Sequence, residues 1–148
     1  MKFLLFALPL ICLASTTLGA PPVPPKKEDL VKGASLIAVV RITNVVERVT
    51  KDQPSGKLIQ TAYPEIEQVL RGTSPKKLCL ERWETLGGPA YQSPGLVKGR
   101  FLAFLKGQGD DYIVGWDSLF PIEGGQVYFY QAKTLDDAVI EIKKMLGN

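Results

Sequence analysis

The chain contains no histidine among its 148 residues. Histidine is the side chain that most often serves as a general base near neutral pH, and it is also the commonest metal ligand. Its absence excludes triads that use an imidazole base, and it excludes zinc sites built on histidine. The most common hydrolytic mechanisms are therefore removed, and we predict that the protein is not an enzyme.

Cysteine is almost as scarce, with Cys12 in the apolar N-terminus and Cys79 in the body of the chain. Removal of the N-terminus leaves Cys79 alone, so no internal disulfide can form, although small exported domains often depend on disulfides. Cys79 lies between Leu78 and Leu80 in a strand-like pattern. Because no histidine is present to lower its pKa, we interpret it as a structural residue that packs as a small apolar side chain.

Motifs for metals, phosphates and acid–base catalysis are also missing. Asp110-Asp111 and Asp136-Asp137 lack the spacing of a calcium loop, and we interpret them as a turn and a helix start. The glycine pairs lack the lysine and the strand-to-helix context of a phosphate loop. Glu65 and Glu67 share one side of a predicted strand and could pair as acid and base, but we interpret them as a solvated face. We predict no metal and no cofactor.

The longest apolar run lies at the N-terminus and has the pattern of a signal peptide. Lys2 supplies the positive end, Phe3–Leu13 the apolar run and Ala14–Ala20 a small-residue exit. The run is too short for a stable membrane-spanning helix. We predict cleavage after Gly19, export to the periplasm or the cell exterior, and no membrane span after cleavage. A retained N-terminal anchor is the alternative.

The predicted mature chain is nearly neutral and is long enough for one domain. Removal of residues 1–19 takes away Lys2, which lowers the formal charge from +3 to +2. A nearly neutral chain lacks the concentrated basic face that nucleic acid binding needs, so we predict no nucleic acid partner. Residues 20–27 include PPVPPKK, which predicts a stiff polyproline-like spacer. Residues 28–148 are enough for one domain.

A hairpin is predicted at the centre of this domain. Arg100–Lys106 has apolar residues on both faces, so this strand should be covered on both sides. Gly107–Asp111 supplies turn residues, and Tyr112–Trp116 returns antiparallel. The remaining predicted elements are strands at Leu36–Val49, Leu58–Leu70, Lys77–Trp83 and Val127–Tyr130, a long loop at Glu84–Lys98, and helices at Glu28–Ala34 and Thr134–Leu146.

Two details of the strands can be predicted as well. In the first strand, one face is expected to carry Leu36, Ala38, Val40, Ile42 and Val46. Proline has no donor for a strand ladder, so Pro64 is expected at an edge or a bulge.

A long bent first strand, five barrel strands and a covering helix predict a mainly β, OB-like closed barrel, with Val127–Tyr130 as a short additional strand. A further resemblance is carried by SLIAVVRITNVVE, PEIEQVLRG, KLCLERW, GRFLAFLKG and YIVGWDSLFPI, within about residues 28–123. These segments resemble the netrin-like fold, the OB-type domain shared with tissue inhibitors of metalloproteinases and with many exported bacterial proteins. Glu65–Leu80 resembles the strand, Val-Leu-Lys-Gly, strand element of that fold.

The resemblance implies a fold and leaves the activity open. The animal inhibitors place the amine and carbonyl of an N-terminal cysteine on the protease zinc, whereas the predicted mature chain starts near Ala20 with no cysteine there. None of the inhibitory residues is carried over. A single domain without disulfides is more similar to the exported bacterial members.

We therefore predict a non-catalytic binding or structural module that contacts another exported or envelope protein through its loops. Trp83 and Tyr91 flank the long loop Glu84–Lys98, and together with Trp116 they are the expected contact surface. Core packing is the alternative role for these aromatic residues. Two other functions stay open: a protease inhibitor that uses a loop, and glycan binding through Trp83 and Trp116.

Overall fold

The computed structural model describes residues 24–51, 56–85, 95–115 and 118–147. Within them the chain is mainly β, with one helix before the strands and one after them. The elements in chain order are α1 (Lys27–Gly33), β1 (Leu36–Ile42), β2 (Val45–Thr50), β3 (Lys57–Ala62), β4 (Glu65–Arg71), β5 (Cys79–Thr85), β6 (Gly99–Gln108), β7 (Asp111–Ile113), β8 (Leu119–Glu123), β9 (Gln126–Phe129), β10 (Gln131–Thr134) and α2 (Leu135–Leu146).

The predicted central hairpin is confirmed as β6, a turn at Gly109-Asp110, and β7. β6 pairs with β1 from Leu36 opposite Leu105 to Ile42 opposite Gly99. The same strand also pairs with β8 near its start and with β7 near its end. Its apolar run is buried on both faces, as the sequence predicts. β6 is therefore the strand that joins the two halves of the sheet.

Each of the two long predicted strands is divided in two by a short break. Thr43-Asn44 separates β1 from β2, and Tyr63-Pro64 separates β3 from β4. The register of β4 on β1 shifts twice, at Glu67 and at Leu70. Pro64 lies in the break between the two strands and not, as was predicted, at an edge or a bulge within one. The first break also makes one prediction wrong. It changes which residues face inward, so Val45 packs against the core while Val46 is exposed.

The sheet is open, so the prediction of a closed five-stranded barrel is wrong. Its ten strands within the described residues follow the path β10-β9-β8-β6-β7-β5-β3-β2, with β1 joining β6 to β4. No ladder in this part of the chain joins the ends of that path. Closure was predicted from a long bent first strand, five barrel strands and a covering helix, with β6 covered on both sides. The structure buries the second face differently, under the two helices and the β8–β10 segment.

Two apolar clusters result, one on each face of the β1–β6 pair. Because side chains alternate along a strand, neighbouring residues enter different clusters. The first cluster lies inside the curled sheet and includes Leu36, Ala38, Val40, Ile42, Ala62, Leu80, Ala103, Leu105 and Tyr112. The second lies under the helices and includes Leu30, Val31, Ile37, Val39, Leu102, Phe104, Ile122, Phe129, Ala138 and Ile142.

The C-terminal helix is confirmed, and a threonine side chain caps its start. The hydroxyl of Thr134 accepts a hydrogen bond from the backbone N–H of Asp137, which satisfies one free donor at the start of α2. Glu141, on α2, forms ion pairs with Lys27 of α1, at 2.6 Å, and with Lys133 of β10. Partial burial raises the pKa of the Glu141 carboxyl, but hydrogen bonds from the two lysines outweigh it and hold that pKa below its ordinary value.

Replacing Glu141 by glutamine is expected to flatten the acid limb of the stability curve. A carboxyl whose pKa is lower in the folded state stabilises the fold above its unfolded pKa, near about 4.3, and this contribution disappears as the pH falls through the folded pKa. The expected loss at pH 7 is about 0.5–1 kcal/mol, because the three side chains are partly exposed. Urea unfolding at several pH values measures it. Glu123→Gln, at an exposed site, is the control, and equal slopes for both variants would contradict the prediction.

Candidate functional site

One face of the curled sheet is open to solvent, and the strand register defines its members. Arg48, Ile59 and Trp83 lie opposite one another across β2, β3 and β5. Residues directly opposite in a sheet project to the same face. We call this surface the outer face. It comprises Val46, Arg48, Lys57, Ile59, Thr61, Cys79, Glu81, Trp83, Asp111 and Ile113. Tyr63, which follows β3, adjoins this face through a hydrogen bond with Cys79 and is counted with it.

Large apolar side chains are exposed on this face. Val46 is 55% exposed, Tyr63 and Trp83 are each 53% exposed, and Ile113 is 63% exposed. They come from β2, the break that follows β3, β5 and β7, so all parts of the outer face contribute. Single exposed apolar residues are common, but several on one sheet face are typical of an interaction surface.

Two lysines lie over the aromatic rings of the outer face. The Nζ of Lys57 is 5.0 Å from the ring centre of Trp83, and the Nζ of Lys77 is 4.3 Å from that of Tyr63. Such cation–π contacts stabilise an exposed ring and hold its orientation. The two aromatic residues are therefore held in place on the surface, as rigid anchors of a binding surface are.

Cys79 lies on the outer face, partly buried. Burial raises the pKa of its thiol, and the carboxylates of Asp111 and Glu81 raise it further, although a hydrogen bond with Tyr63 acts in the opposite direction. An open cleft of about 620 Å³ lies beside it, lined also by Lys106 and the end of β6. A thiol with a raised pKa is a poor nucleophile. Cys79 belongs to neither apolar cluster, and its structural role stays a prediction.

A polar cluster lies on the inner side of β3 and β5. Gln60 is 7% exposed and Arg82 is 5% exposed. The Gln60 Oε1 accepts hydrogen bonds from the backbone N–H of Leu96, at 2.8 Å, and from Arg82, at 3.3 Å. The Gln60 Nε2 donates to Glu47 at 2.6 Å, and Arg82 forms an ion pair with Glu84 at 3.1 Å.

This cluster attaches the chain that returns to β6. Gly95 lies so close to the Gln60 amide that a Cβ there would be 3.1 Å from Oε1. Sequence reasoning missed the cluster. One signal for it was available, since the inward positions next to Gln60 are Leu58 and Ala62. Similarly, Leu80 precedes Arg82 at an inward position of β5. Polar residues at such positions indicate a buried hydrogen-bonded network.

The predicted contact residues fall partly within the described chain. Trp83 is exposed, as a contact residue must be. Tyr91, Trp116 and residues 86–94 of the predicted loop lie outside the described residues. The loop prediction was wrong at its start, because Glu84 belongs to β5. At the other end Leu96 is buried and Val97 is exposed.

The second acidic candidate, Glu67, is held between two arginines. Its carboxylate contacts Arg41 at 2.6 Å and Arg100 at 2.5 Å. The hydrogen bond from Arg100 is the largest cause of a Glu67 pKa below its ordinary value, and Arg41 lowers it further. A general acid near neutral pH needs a raised pKa, so Glu67 has the wrong environment for that role.

The comparisons with known proteins add no family to these observations. No protein-family model matches the chain, and no curated protein matches it significantly. Among the described residues, no group of three or more cysteine, aspartate or glutamate side chains is arranged to hold a metal ion. Neither helix in the described ranges combines the length and apolar character needed to cross a membrane.

Proposed function

We propose that this protein is an exported, non-catalytic binding module that contacts another exported or envelope protein. The contact surface is the outer face, together with the chain that follows β5. One observation carries the proposal: Trp83, Val46 and Ile113 are exposed together on one face of a folded sheet, and the exposed Tyr63 adjoins Cys79 on the same face. Trp and Tyr are the residues that most often dominate the binding energy of protein interfaces.

We also propose that the domain is of the netrin-like, OB type. The order of the pairings supports this assignment. The β1–β2 stretch pairs antiparallel with the β3–β4 stretch in both halves, β3 then pairs with β5, and β5 pairs in parallel with β7. OB-type sheets are partly open Greek-key barrels, so an open ladder is compatible with this class.

Replacing Trp83 by alanine is expected to reduce partner capture at least about tenfold, because a central aromatic anchor contributes about 2 kcal/mol or more. The mature protein is immobilised, and partner recovery from envelope extract is compared between variants. Tyr128→Ala is the matched control, since Tyr128 is 56% exposed and lies on β9, outside the outer face. Equal recovery by the two variants would show that the outer face is not the contact surface.

A second candidate function is glycan binding on the same face. The exposed ring of Trp83 favours glycan binding, because sugar rings stack on aromatic side chains. OB-type domains also bind oligosaccharides, on the face of their second and third strands. A glycan array probed with wild type and Trp83→Ala separates the two candidates. If the wild type binds a defined glycan and Trp83→Ala does not, the result supports glycan binding. If the wild type binds no glycan on the array, the result supports the protein contact.

A further inference from the structure

Tyr130 has a backbone conformation that is unusual for its residue type. Its φ angle is +60°, and it is the one non-glycine residue with positive φ in the described ranges. It forms the turn between β9 and β10, where Phe129 pairs directly with Gln131. A bulky side chain in the left-handed region is strained, and such strain persists only where the surroundings hold it.

The surroundings of Tyr130 are an aromatic cluster beside the start of α1. Its ring stands edge-on to Phe129, with centres 5.2 Å apart, and lies against Phe120, at 6.2 Å. Its hydroxyl donates a hydrogen bond of 2.5 Å to the backbone carbonyl of Pro25. Lys27 lies over both rings, 5.6 Å from Phe129 and 5.7 Å from Tyr130. We call these four side chains the Tyr130 cluster.

The segment that the Tyr130 hydroxyl contacts has polyproline character. Pro24 and Pro25 follow PPV in the sequence, and Lys26 has φ −62° and ψ 146°, the angles of a polyproline II helix. That helix has no internal hydrogen bonds, so its carbonyls are free to accept from a neighbour. Proteins that recognise it use grooves lined with aromatic side chains.

We propose that the Tyr130 cluster is a binding site for a polyproline II segment, and that the chain fills it with its own residues Pro24–Lys26. The left-handed turn directs the Tyr130 hydroxyl at the Pro25 carbonyl, and Lys27 closes the site from the helix side. Lys27 is also paired with Glu141 of α2, so the segment is joined to the helical layer. The site lies away from the outer face and does not depend on the function proposed above.

The first test removes only the hydroxyl. In mature Tyr130→Phe, amide hydrogen exchange in residues 26–31 is expected to be about fivefold faster, the effect of one lost hydrogen bond. Exchange in β1 and β6 should stay unchanged. Tyr128→Phe removes a hydroxyl two residues away on an exposed side chain and is the matched control. Unchanged exchange in residues 26–31 of Tyr130→Phe would overturn the proposal.

The second test asks whether the site recognises polyproline II in general. In a mature variant with Pro24→Gly and Pro25→Gly, the segment loses its preference for the polyproline II conformation and is expected to leave the cluster. A peptide with residues 20–27 is titrated into this variant. Saturable NMR shifts at Tyr130 and Phe129 are expected, and they should weaken at least threefold when Tyr130→Phe is added. A peptide with alanine at every proline is the control. Equal binding of the two peptides, or no binding of either, would mean that the Pro25 contact is an ordinary hydrogen bond.

Discussion

Replacing Phe104 by alanine is expected to lower the free energy of unfolding by about 3–5 kcal/mol, the largest effect of any single change considered for this chain. Phe104 is 2% exposed on β6. Its ring is stacked on Phe129, with centres 5.0 Å apart, and meets the edge of Phe120 at 5.5 Å. Alanine removes both ring contacts and leaves a cavity under the helices. The paired strands on the other side of this cavity are too rigid to move in and fill it.

Urea unfolding followed by circular dichroism measures this loss as a lower midpoint. The matched control is Ile140→Ala on α2, a large apolar residue of the same layer that is 65% exposed, for which a change within about 0.5 kcal/mol is expected. Similar losses in the two variants would mean that the helical layer is not packed on β6. Phe104→Leu keeps most of the volume and should recover part of the loss.

Replacing Gln60 by leucine is expected to cost about 2–3 kcal/mol and to release the chain around Leu96. Leucine has nearly the same volume but offers neither donor nor acceptor. The buried N–H of Leu96 therefore loses its acceptor, and the carboxylate of Glu47 loses the donor that Nε2 provides. Arg82 also loses one of its acceptors. An unsatisfied buried polar group costs about 1–3 kcal/mol in proteins.

Two measurements check the Gln60 prediction. Urea unfolding gives the lost stability, and amide hydrogen exchange at Leu96 reports whether the chain before β6 has detached. Gln68→Leu is the control, because Gln68 is an exposed glutamine on β4, the next strand in the sequence. A Leu96 amide that keeps its protection in Gln60→Leu would show that other contacts hold this segment.

Much of the local structure follows from the sequence. The alternation of apolar residues in β1 and β6 identifies both strands, and the glycines at Gly124-Gly125 mark the turn between β8 and β9. The Thr134 cap and the apolar stripe that follows it predict α2 within one residue. These features depend on neighbours in the chain, and local residue preferences are sufficient for them.

The candidate site was predicted only at Trp83. That residue could be singled out because it ends a predicted strand and precedes a long loop. Tyr63, Val46 and Ile113 could not be joined to it from sequence, since Val46 and Ile113 belong to two other strands and Tyr63 follows a third. Only the register of β2, β3, β5 and β7 brings them to one face.

By itself the sequence determined that the protein is mainly β, that β6 is covered on both sides and that a capped helix ends the described chain. Tertiary structure alone decided how the second face of β6 is buried, and therefore that the sheet stays open under two helices. It also decided the Gln60–Arg82 cluster and the contact of Tyr130 with Pro25, residues 105 positions apart. The physical reason is that periodicity states which side of a strand is apolar, whereas the group that covers that side is chosen by packing across the whole chain.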